Sequence, residues 1–258
     1  MKIITTHRNT DFDALASVMA AKILFPDAIP VLPKQVNPNV KAFLSIHKDV
    51  FSTHTFDEVD LDPVKQLVVV DTNKWERLEG MAGLKTRSDL DIQLWDHHPI
   101  RGNIITPWKV CEVTGATITL LLRRIKQERK ILTPIQTTLF LLGIYEDTGS
   151  LTHLTTVPQD LRAAAWLVEK GAKLDQVAQF ITHELTSAQI AILHELMKSA
   201  KQYTIQDIQV VVITHSLPEY VDEFALIVRR FMAMENLNVL FALISMGGRI
   251  YLICRSRI

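Results

Sequence analysis

Cysteine is scarce in this chain, and its scarcity excludes two kinds of scaffold. The 258 residues contain two cysteines, Cys111 and Cys254, which lie far apart and form no CxxC pair. The sequence therefore lacks both the framework of a disulfide-stabilised secreted domain and the thiolate set of a structural zinc site. We expect both thiols to be reduced, as in a cytoplasmic protein.

A charge imbalance is also missing. Lysine and arginine together number 28, as do aspartate and glutamate, so the formal net charge is zero. Proteins that grip long nucleic acids usually carry a basic excess, because neutralising phosphates supplies much of their affinity. The composition therefore favours short or small phosphorylated ligands over long duplexes.

Long apolar runs and internal repeats are absent. No apolar run approaches the roughly 18 residues that a membrane-spanning helix needs. The N-terminal segment MKIITTHRNTDFD is too polar for a signal peptide. Because 48% of the residues are hydrophobic, the chain can nevertheless bury a large core. We expect a soluble cytoplasmic protein of one or two domains that does not contact a membrane.

Strand and helix patterns alternate along the first part of the chain. The predicted strands are 2–6, 29–32, 66–70 and 91–95. The predicted helices are 14–25, 40–47, 117–128, 134–146, 159–170 and 174–182. The run Gln66–Val70 is apolar and β-branched, which is typical of a parallel strand buried on both faces. The alternation predicts an α/β fold with a parallel sheet flanked by helices.

A long helix precedes a change of pattern at about residue 202. A helix is predicted over 187–202, then a strand over 208–214, a helix over 219–234, and strands over 239–246 and 250–254 joined at Gly247-Gly248. We therefore predict a main domain over 1–185, a connecting helix over 186–204 and a small α/β C-terminal domain over 205–258. Because the sequence stops directly after a strand, we expect that small domain to be partial and the chain to be a fragment of a longer polypeptide.

Titratable residues follow three of the predicted strands. They are His7, Asp11 and Asp13 after the first strand, Asp71 after the second, and Asp96, His97 and His98 after the third. Ligands bind at the carboxyl ends of strands in an open parallel sheet. A further acid, Asp147, follows the helix predicted over 134–146. Each motif alone is commonly a turn or a cap, but the combination predicts one convergent site.

Carboxylates and imidazoles in this mixture fit two divalent cations. Oxygen ligands with one or two imidazoles suit Mn²⁺ or Mg²⁺, with Zn²⁺, Co²⁺ and Fe²⁺ as alternatives. Two cations about 3.5–4 Å apart need a bridging carboxylate and can hold a hydroxide for in-line attack on phosphorus. The residue types thus predict phosphoryl-transfer chemistry.

These motifs resemble those of the DHH phosphoesterase superfamily over roughly residues 1–185. The matching motifs are His7-x-x-x-Asp11-x-Asp13, Asp71, Asp96-His97-His98 and Asp147. The resemblance implies that His7 and Asp11 hold one cation, that Asp13, His97 and Asp147 hold the other, and that Asp71 bridges them. It also implies two divalent ions, with Mn²⁺ favoured and Mg²⁺ or Co²⁺ as alternatives.

The resemblance implies further roles around the cations. His98 would contact the scissile phosphate or act as a general acid. Asp96 would fix a histidine tautomer or the backbone turn behind the ligands. Asn9 would contact the phosphate or the nucleophile. Arg255 lies in Ile253-Cys254-Arg255-Ser256, which is similar to a Ser-x-Arg-Ser strand whose arginine faces substrate, although the GGGH segment that normally follows is missing.

The predicted β-α-β-β pattern after residue 205 resembles the beginning of the small C-terminal domain in the branch with RecJ-like nucleases, oligoribonucleases and cyclic-dinucleotide phosphodiesterases. The segment YEDTGSLTHLTT and Asp160–Ala165 are most similar to the DHH module fused to CBS domains and a tRNA nucleotidyltransferase or poly(A) polymerase. This implies a hydrolase, such as an exonuclease in RNA processing, that cleaves phosphate esters of short oligonucleotides or nucleotides with a metal-activated hydroxide.

Two other functions remain open. The chain could be a nucleotide- or RNA-binding module with little activity of its own, reaching tRNA through fused domains. It could also be an inorganic pyrophosphatase-like enzyme, although we find no lysine-rich substrate motif of that group. The sequence does not decide whether the chain forms a homo-oligomer.

A basic run occupies the predicted helix over 117–128 and the residues after it. Its members are Arg123, Arg124, Lys126, Arg129 and Lys130. At helical spacing such a run is usually a solvated face, and an RNA contact is the functional alternative. Trp166 has no clear stacking partner in the sequence, so packing is its better interpretation.

Overall fold

Six parallel strands form the sheet of the N-terminal part of the chain. Their order is β3-β2-β1-β4-β5-β6. The strands are β1 Lys2–Thr5, β2 Ile29–Leu32, β3 His54–Thr55, β4 Gln66–Val70, β5 Asp91–Asp96 and β6 Trp108–Cys111.

This computed structural model describes residues 1–181, 185–222 and 224–257. The chain divides into two units, residues 1–182 and 183–258, each with its own core.

Helices cover one face of this sheet. They are α1 Phe12–Leu24, α2 Pro38–Ile46, α3 Thr117–Gln127, α4 Pro134–Asp147, α5 Pro158–Glu169 and α6 Leu174–Ile181. In β4, Val68 and Val70 join the core beneath the helices, while Leu67 and Val69 join a second core. That second core contains Trp75, which lies in one of the short 3₁₀ helices that follow β3 and β4 in the chain. The predicted α/β fold and the two-sided burial of this strand are confirmed.

Two strands were missed in this sheet. No pattern in the sequence indicates β3 or β6. Strand β3 has only two residues, and β6 is largely exposed at the sheet edge. An edge strand of this kind lacks the apolar alternation by which sequence patterns are recognised.

Helices α1 and α4 approach closely at Gly143. A Cβ atom on Gly143 would lie 3.0 Å from the Ala16 Cβ, 3.0 Å from the Phe12 carbonyl oxygen and 3.1 Å from the Asp13 Cα. Asp13 lies in the first turn of α1 and Asp147 is the last residue of α4. The close contact therefore sets the separation of two predicted site residues.

We expect Gly143→Leu to destabilise the fold by about 1–3 kcal/mol, because overpacking forces backbone shifts. Urea denaturation followed by circular dichroism measures the change. Gly83→Ala is the matched control, since a Cβ there meets nothing within 4 Å. The control should change the free energy of unfolding by no more than about 0.5 kcal/mol. An unchanged free energy in Gly143→Leu would show that the helices can separate without cost.

Over its described residues, the second unit contains two helices and a four-stranded sheet. Its elements are α7 Ser187–Ser199, β7 Lys201–Ile205, β8 Ile208–Ser216, α8 Phe224–Met234, β9 Val239–Met246 and β10 Arg249–Ser256. The sheet order is β10-β9-β8-β7, with β8 and β9 parallel and the other pairs antiparallel. Gly247 and Gly248 have φ of 56° and 74° and form the predicted hairpin turn between β9 and β10.

The helix predicted over 187–202 ends earlier, at Ser199, and strand β7 follows it. All five residues of β7 are exposed, and the strand is defined by its pairing with β8, which no local pattern reveals. Leu193 and Leu196 of α7 contribute to the core of the second unit. The bounds 1–185, 186–204 and 205–258 remain a prediction.

The other predicted helix of this unit is also shorter than expected. The sequence pattern predicts this helix over 219–234, whereas α8 begins at Phe224 in the structure. Residue 223 lies outside the described residues. Among the described helices, none has the length and apolar character required to cross a bilayer.

Candidate metal centre

Three neighbouring strands bring the predicted site residues to one edge of the sheet. Strands β1, β4 and β5 are adjacent and parallel, so their carboxyl ends lie side by side. His7 follows β1, Asp71 follows β4 directly, and Asp96 ends β5. Asp71 has a left-handed φ of 59°, and its N–H donates to the Trp95 carbonyl oxygen at 2.9 Å. The strand order thus converts three distant motifs into one cluster.

Asp71 lies at the centre of this cluster and is 2% exposed. Its Oδ2 atom is 3.1 Å from His7 Nε2. Its Oδ1 atom is 3.6 Å from His97 Nε2 and 4.0 Å from His98 Nδ1. The two oxygens of one carboxylate therefore face histidines from two different strands.

Three groups of side chains place their ligand atoms within 4.8 Å of one another. The groups are His7, Asp11 and Asp71; Asp13, His97 and Asp147; and Asp71, His97 and His98. The first two correspond to the ligand sets that the family resemblance implies, and Asp71 belongs to two of the three groups. The structure brings these residues together, while their roles as ligands stay a prediction.

The three histidines share one hydrogen-bonding arrangement. In each, Nδ1 faces an oxygen that can only accept. The contacts are His7 to the Arg8 carbonyl at 2.7 Å, His97 to the Thr114 carbonyl at 2.9 Å, and His98 to Asp96 Oδ1 at 2.7 Å. We therefore assign the proton to Nδ1, which leaves the Nε2 lone pair of each neutral ring available. Histidines that bind metals are commonly fixed in this way.

The Nε2 atom of His97 tests whether a cation fits. It is buried and has no hydrogen-bond partner among the described residues. It lies 3.2 Å from Asp147 Oδ2 and 3.6 Å from Asp71 Oδ1. A lone pair facing two carboxylate oxygens is unfavourable unless a proton or a cation lies between them. The donor set of oxygens and imidazole therefore fits a divalent cation.

Buried negative charge shifts the carboxyl groups. Burial raises the pKa of Asp13 well above its usual value, and the charges of Asp71 and Asp147 raise it further. Burial likewise raises the pKa of Asp11 to about 6, with the Asp71 charge adding to the effect. Burial opposes ionisation of Asp71, but the hydrogen bond and charge of His7 outweigh it and lower its pKa. Bound cations would neutralise this concentration of charge.

The histidines respond to the same carboxylates. Burial lowers the pKa of His97, but attraction to Asp147 and Asp71 outweighs burial and raises the pKa to about 9. Burial also opposes protonation of His7, whose pKa is raised overall by its contact with Asp71 and by the Asp11 charge. In the absence of a cation, protons therefore occupy positions that a cation would take.

The N-terminus of α3 holds two of the acids, an arrangement that no pattern in the sequence predicts. The backbone N–H groups of Thr117 and Ile118 donate to the two oxygens of Asp13 at 2.7 and 2.9 Å. The Thr117 hydroxyl donates to Asp71 Oδ1 at 2.8 Å. A helix N-terminus stabilises negative charge. Helix α3 therefore fixes the orientation of both carboxylates.

Glu146 was missed as well. Its Oε2 atom accepts a hydrogen bond from the Phe12 N–H at 2.5 Å, which ties the start of α1 to the end of α4. Burial, followed by the charge of Asp11, raises the pKa of Glu146 to about 8. Its neighbour Asp147 is predicted as a site residue because the family motif includes that position. No local pattern in the sequence distinguishes the roles of these two adjacent acids.

Asp160 is another buried carboxylate beside the centre, and it is 0% exposed. It accepts hydrogen bonds from the Gly115 N–H at 2.9 Å, the Thr119 hydroxyl at 2.6 Å and the Val157 N–H at 2.8 Å. A Cβ on Gly115 would lie 2.5 Å from Asp160 Oδ2, so glycine permits this approach. Asp160 thereby fixes the loop that leads into α3 and carries the Thr114 carbonyl.

We expect Asp160→Ala to weaken Mn²⁺ binding by about 10–100-fold, because residues that orient ligands typically have effects of that size. Asp160→Asn should lose less, since its amide oxygen can still accept a hydrogen bond. Isothermal titration calorimetry measures the affinity, and circular dichroism checks the fold. The exposed Asp49 supplies the control variant Asp49→Ala. Wild-type affinity in Asp160→Ala would contradict the positioning role.

The remaining predicted residues lie outside the central ligand groups or at their margin. Asp96 is 0% exposed and accepts from Asn73 Nδ2 at 2.6 Å and from His98 Nδ1 at 2.7 Å, so it lies behind His98. Asn9 is exposed, with a φ of 58°. Arg255 is exposed on β10 of the second unit. The roles proposed for these residues stay predictions.

Comparison with known families identifies the N-terminal part of the chain. The DHH family, N-terminal domain, matches residues 2–144. The match runs from β1 into α4 and includes every predicted ligand except Asp147. It therefore covers more than half of the 258 residues.

Two curated relatives extend over nearly the whole chain. An A-adding tRNA nucleotidyltransferase of Geobacter sulfurreducens is 35% identical over 260 residues, which are 100% of this chain and 30% of the relative. An A-adding tRNA nucleotidyltransferase of Aquifex aeolicus is 28% identical over 256 residues, which are 99% of this chain and 30% of the relative. The chain thus spans less than a third of the length of these proteins.

Solved structures share the fold at low sequence identity. An exopolyphosphatase-related protein from Bacteroides fragilis has a TM-score of 0.78 and 16% identity, over 98% of this chain and 78% of its own. A putative family II inorganic pyrophosphatase from Methanococcus jannaschii has a TM-score of 0.61 and 18% identity, over 100% of this chain and 87% of its own. At such identities the likeness shows the fold alone. The sequence match over residues 2–144 decides the family: the chain belongs to the DHH family.

Proposed function

We propose that the chain is a two-metal phosphoesterase that hydrolyses phosphate esters of short oligonucleotides or nucleotides, with Mn²⁺ as the favoured cation. The central observation is the position of Asp71. One of its oxygens lies 3.1 Å from His7 and the other 3.6 Å from His97. A single carboxylate shared by two ligand groups is the arrangement that a pair of cations requires.

Each set of side chains has a distinct task in this proposal. Two divalent cations, when bound, polarise the phosphoryl oxygen and lower the pKa of a coordinated water. His7 and Asp11 would hold one ion, Asp13, His97 and Asp147 the other, and Asp71 both. The α3 N-terminus already fixes Asp13 and Asp71 through hydrogen bonds, so these acids need little reorganisation during the reaction.

His98 is the proposed contact to the scissile phosphate. Its side chain is 41% exposed, so a substrate can reach it. The Nδ1–H donates to the buried Asp96, which leaves Nε2 on the opposite side of the ring. In the imidazolium form, Nε2–H can donate to a phosphate oxygen or release its proton to the leaving oxygen, while Asp96 stabilises the positive charge.

The test is release of mononucleotides from di- to pentanucleotides in the presence of Mn²⁺, followed by chromatography. Mg²⁺ and Co²⁺ are tested in parallel, and protein treated with a chelator is the blank. Inorganic pyrophosphate serves as a competing substrate. Phosphate release from pyrophosphate alone would favour the pyrophosphatase-like alternative. Absence of turnover with every substrate and cation would exclude the proposed activity.

A second candidate function draws support from the curated relatives. Both are named as A-adding tRNA nucleotidyltransferases, and this chain corresponds to 30% of each. The chain would then be a nucleotide- or RNA-binding module of a larger tRNA-processing protein, acting in the cytoplasm. Nucleotide binding that persists without hydrolysis in excess Mn²⁺ would favour this candidate, whereas rapid turnover would exclude it.

A further inference from the structure

Helices α3 and α5, together with the residues that directly follow them, carry a group of cations around one tryptophan. We call this surface the α3–α5 cationic face. Its members are Arg123, Lys126, Arg129, Arg162, Trp166 and Lys170. All five cations are exposed, and Trp166 is partly exposed. The face concentrates positive charge in a chain whose formal net charge is zero.

Most of these cations have no acidic partner. Arg123 pairs with Glu112, and its two terminal guanidinium nitrogens donate to the two carboxylate oxygens. For Lys126, Arg129, Arg162 and Lys170, no ion pair occurs within the part of the chain that the structure describes. Four positive charges are therefore left to interact with solvent or with an anionic partner. Phosphate groups are the complementary chemistry.

Trp166 lies between two cavities on this face. One cavity of about 170 Å³ is bordered by Arg123, Arg162 and Trp166, and another of about 310 Å³ by Arg129, Lys170 and Trp166. Lys126 borders both, and its Nζ lies 5.7 Å from the centre of the indole ring. An accessible aromatic ring among cations is the pattern on which unpaired bases stack while phosphates contact the charges.

The first cavity is also lined by a residue that orients one proposed metal ligand. Thr114 lines this cavity, and its carbonyl oxygen accepts the His97 Nδ1–H at 2.9 Å. The cationic face thus adjoins the loop that orients one proposed ligand. A bound strand would contact that loop without occupying the metal centre.

We propose that the α3–α5 cationic face binds single-stranded RNA, with phosphates on the four unpaired cations and a base stacked on Trp166. Stacking accepts any base because every base has a π face, so the site is tolerant of sequence. In a duplex the bases are stacked inside the helix and cannot stack on Trp166. An acidic protein could pair with the cations but has no base to stack on the indole ring. The choice of RNA over DNA rests on the second candidate function, a module of a larger tRNA-processing protein, whereas the binding itself is independent of hydrolysis.

Fluorescence anisotropy with a labelled single-stranded RNA of about 12 nucleotides tests the charges. The binding variant carries Lys126→Ala, Arg129→Ala, Arg162→Ala and Lys170→Ala. We expect at least about tenfold weaker binding and a salt dependence whose slope falls by about 3, since each phosphate contact contributes about 0.7. The control variant removes four exposed cations elsewhere and carries Lys41→Ala, Lys48→Ala, Arg229→Ala and Arg230→Ala. Unchanged binding in the first variant, or an equal loss in both, would overturn the proposal.

Trp166 is tested by a pair of substitutions. Trp166→Leu keeps an apolar side chain but removes the ring, and we expect about tenfold weaker binding. Trp166→Phe should recover most of the affinity because it restores a stacking surface. Circular dichroism melting of both variants separates stacking from folding. Equal affinity of the leucine and phenylalanine variants would refute the stacking role, and equal binding of DNA of the same sequence would overturn the assignment to RNA.

All binding measurements are repeated in an Asp71→Asn background and with a chelator present. Retained RNA affinity there, together with loss of mononucleotide release, would support the face as an RNA site distinct from the centre. Loss of RNA binding on removing Asp71 would instead assign the binding to the metal centre. Failure of this proposal is thereby distinguishable from failure of the proposed activity. The variants of the face should leave dinucleotide hydrolysis unchanged.

Discussion

Asp71→Asn is expected to lower kcat by at least about 10³-fold, because several kcal/mol of transition-state stabilisation depend on the cations that it would bridge. Asp71 is the residue whose oxygens face both His7 and His97. Asparagine keeps the size of the side chain and an oxygen that can accept from the Thr117 hydroxyl. It removes the charge and replaces the other oxygen with an NH₂ group that cannot bind a cation, so the side chain could no longer bridge two ions.

Two measurements test this expectation. Mononucleotide release gives kcat, and isothermal titration calorimetry with Mn²⁺ gives the number of ions bound. Asp49→Asn is the matched control, since Asp49 is exposed and belongs to none of the ligand groups. We expect the fold to persist in Asp71→Asn, because the Asp71 charge raises the pKa of both Asp11 and Asp13 and its loss relieves that repulsion. Full activity with two bound ions would rule out a bridging role.

Mn²⁺ should stabilise the protein more strongly as the pH rises. In the metal-free protein the pKa of Asp11 is raised from 3.8 to about 6, and that of His97 from 6.5 to about 9. Each group binds its proton more tightly in the folded state. Its contribution to stability is therefore complete below the unfolded pKa and is lost as the pH rises through the folded pKa. The metal-free protein should thus lose stability between about pH 4 and about pH 9.

Bound Mn²⁺ should offset this loss of folding stability. Metal ligands must give up their protons, so Mn²⁺ affinity should increase over the same pH range. The pKa of Asp71 is lowered, so its own contribution changes only below about pH 4 and leaves this window unaffected. At about 100 times the dissociation constant, Mn²⁺ adds about 2.7 kcal/mol to the free energy of unfolding.

Thermal melting with Mn²⁺ or with a chelator measures this effect at about pH 6 and about pH 9. We expect the difference in Tm between the two conditions to be larger at the higher pH. Calorimetry in buffers of different ionisation enthalpy counts the protons released on binding. A Tm difference that does not depend on pH, with no proton release, would contradict the assignment of Asp11 and His97 as ligands.

The motifs of the candidate centre were readable from the sequence because each lies at the end of a local pattern. Strand β4 is a short run of buried aliphatic residues, and Asp71 follows it directly. His97 and His98 follow β5 in the same way. In a parallel sheet such ends meet at one edge, so three local signals and one general rule predict a cluster.

The supporting residues could not be found in this way, because their partners are remote in the chain. The Thr117 N–H donates to Asp13, which is 104 residues away. Asp160 accepts from Gly115, 45 residues away, and Glu146 from Phe12, 134 residues away. Hydrogen bonds of this kind leave no periodicity and no spacing in the sequence. Strand β7 was missed for a related reason, since only its pairing with β8 defines it.

Local patterns in the sequence predict the α/β fold, most of its helices and strands, and the motifs whose residues gather at the sheet edge, because burial patterns and strand ends are local. The tertiary structure is needed to show that Asp71 faces two histidines, that the start of α3 holds Asp13, and that Lys126 and Trp166 meet across α3 and α5. These are distances between side chains on separate elements. They depend on how the helices pack, which is set by the whole core and by close contacts such as that at Gly143.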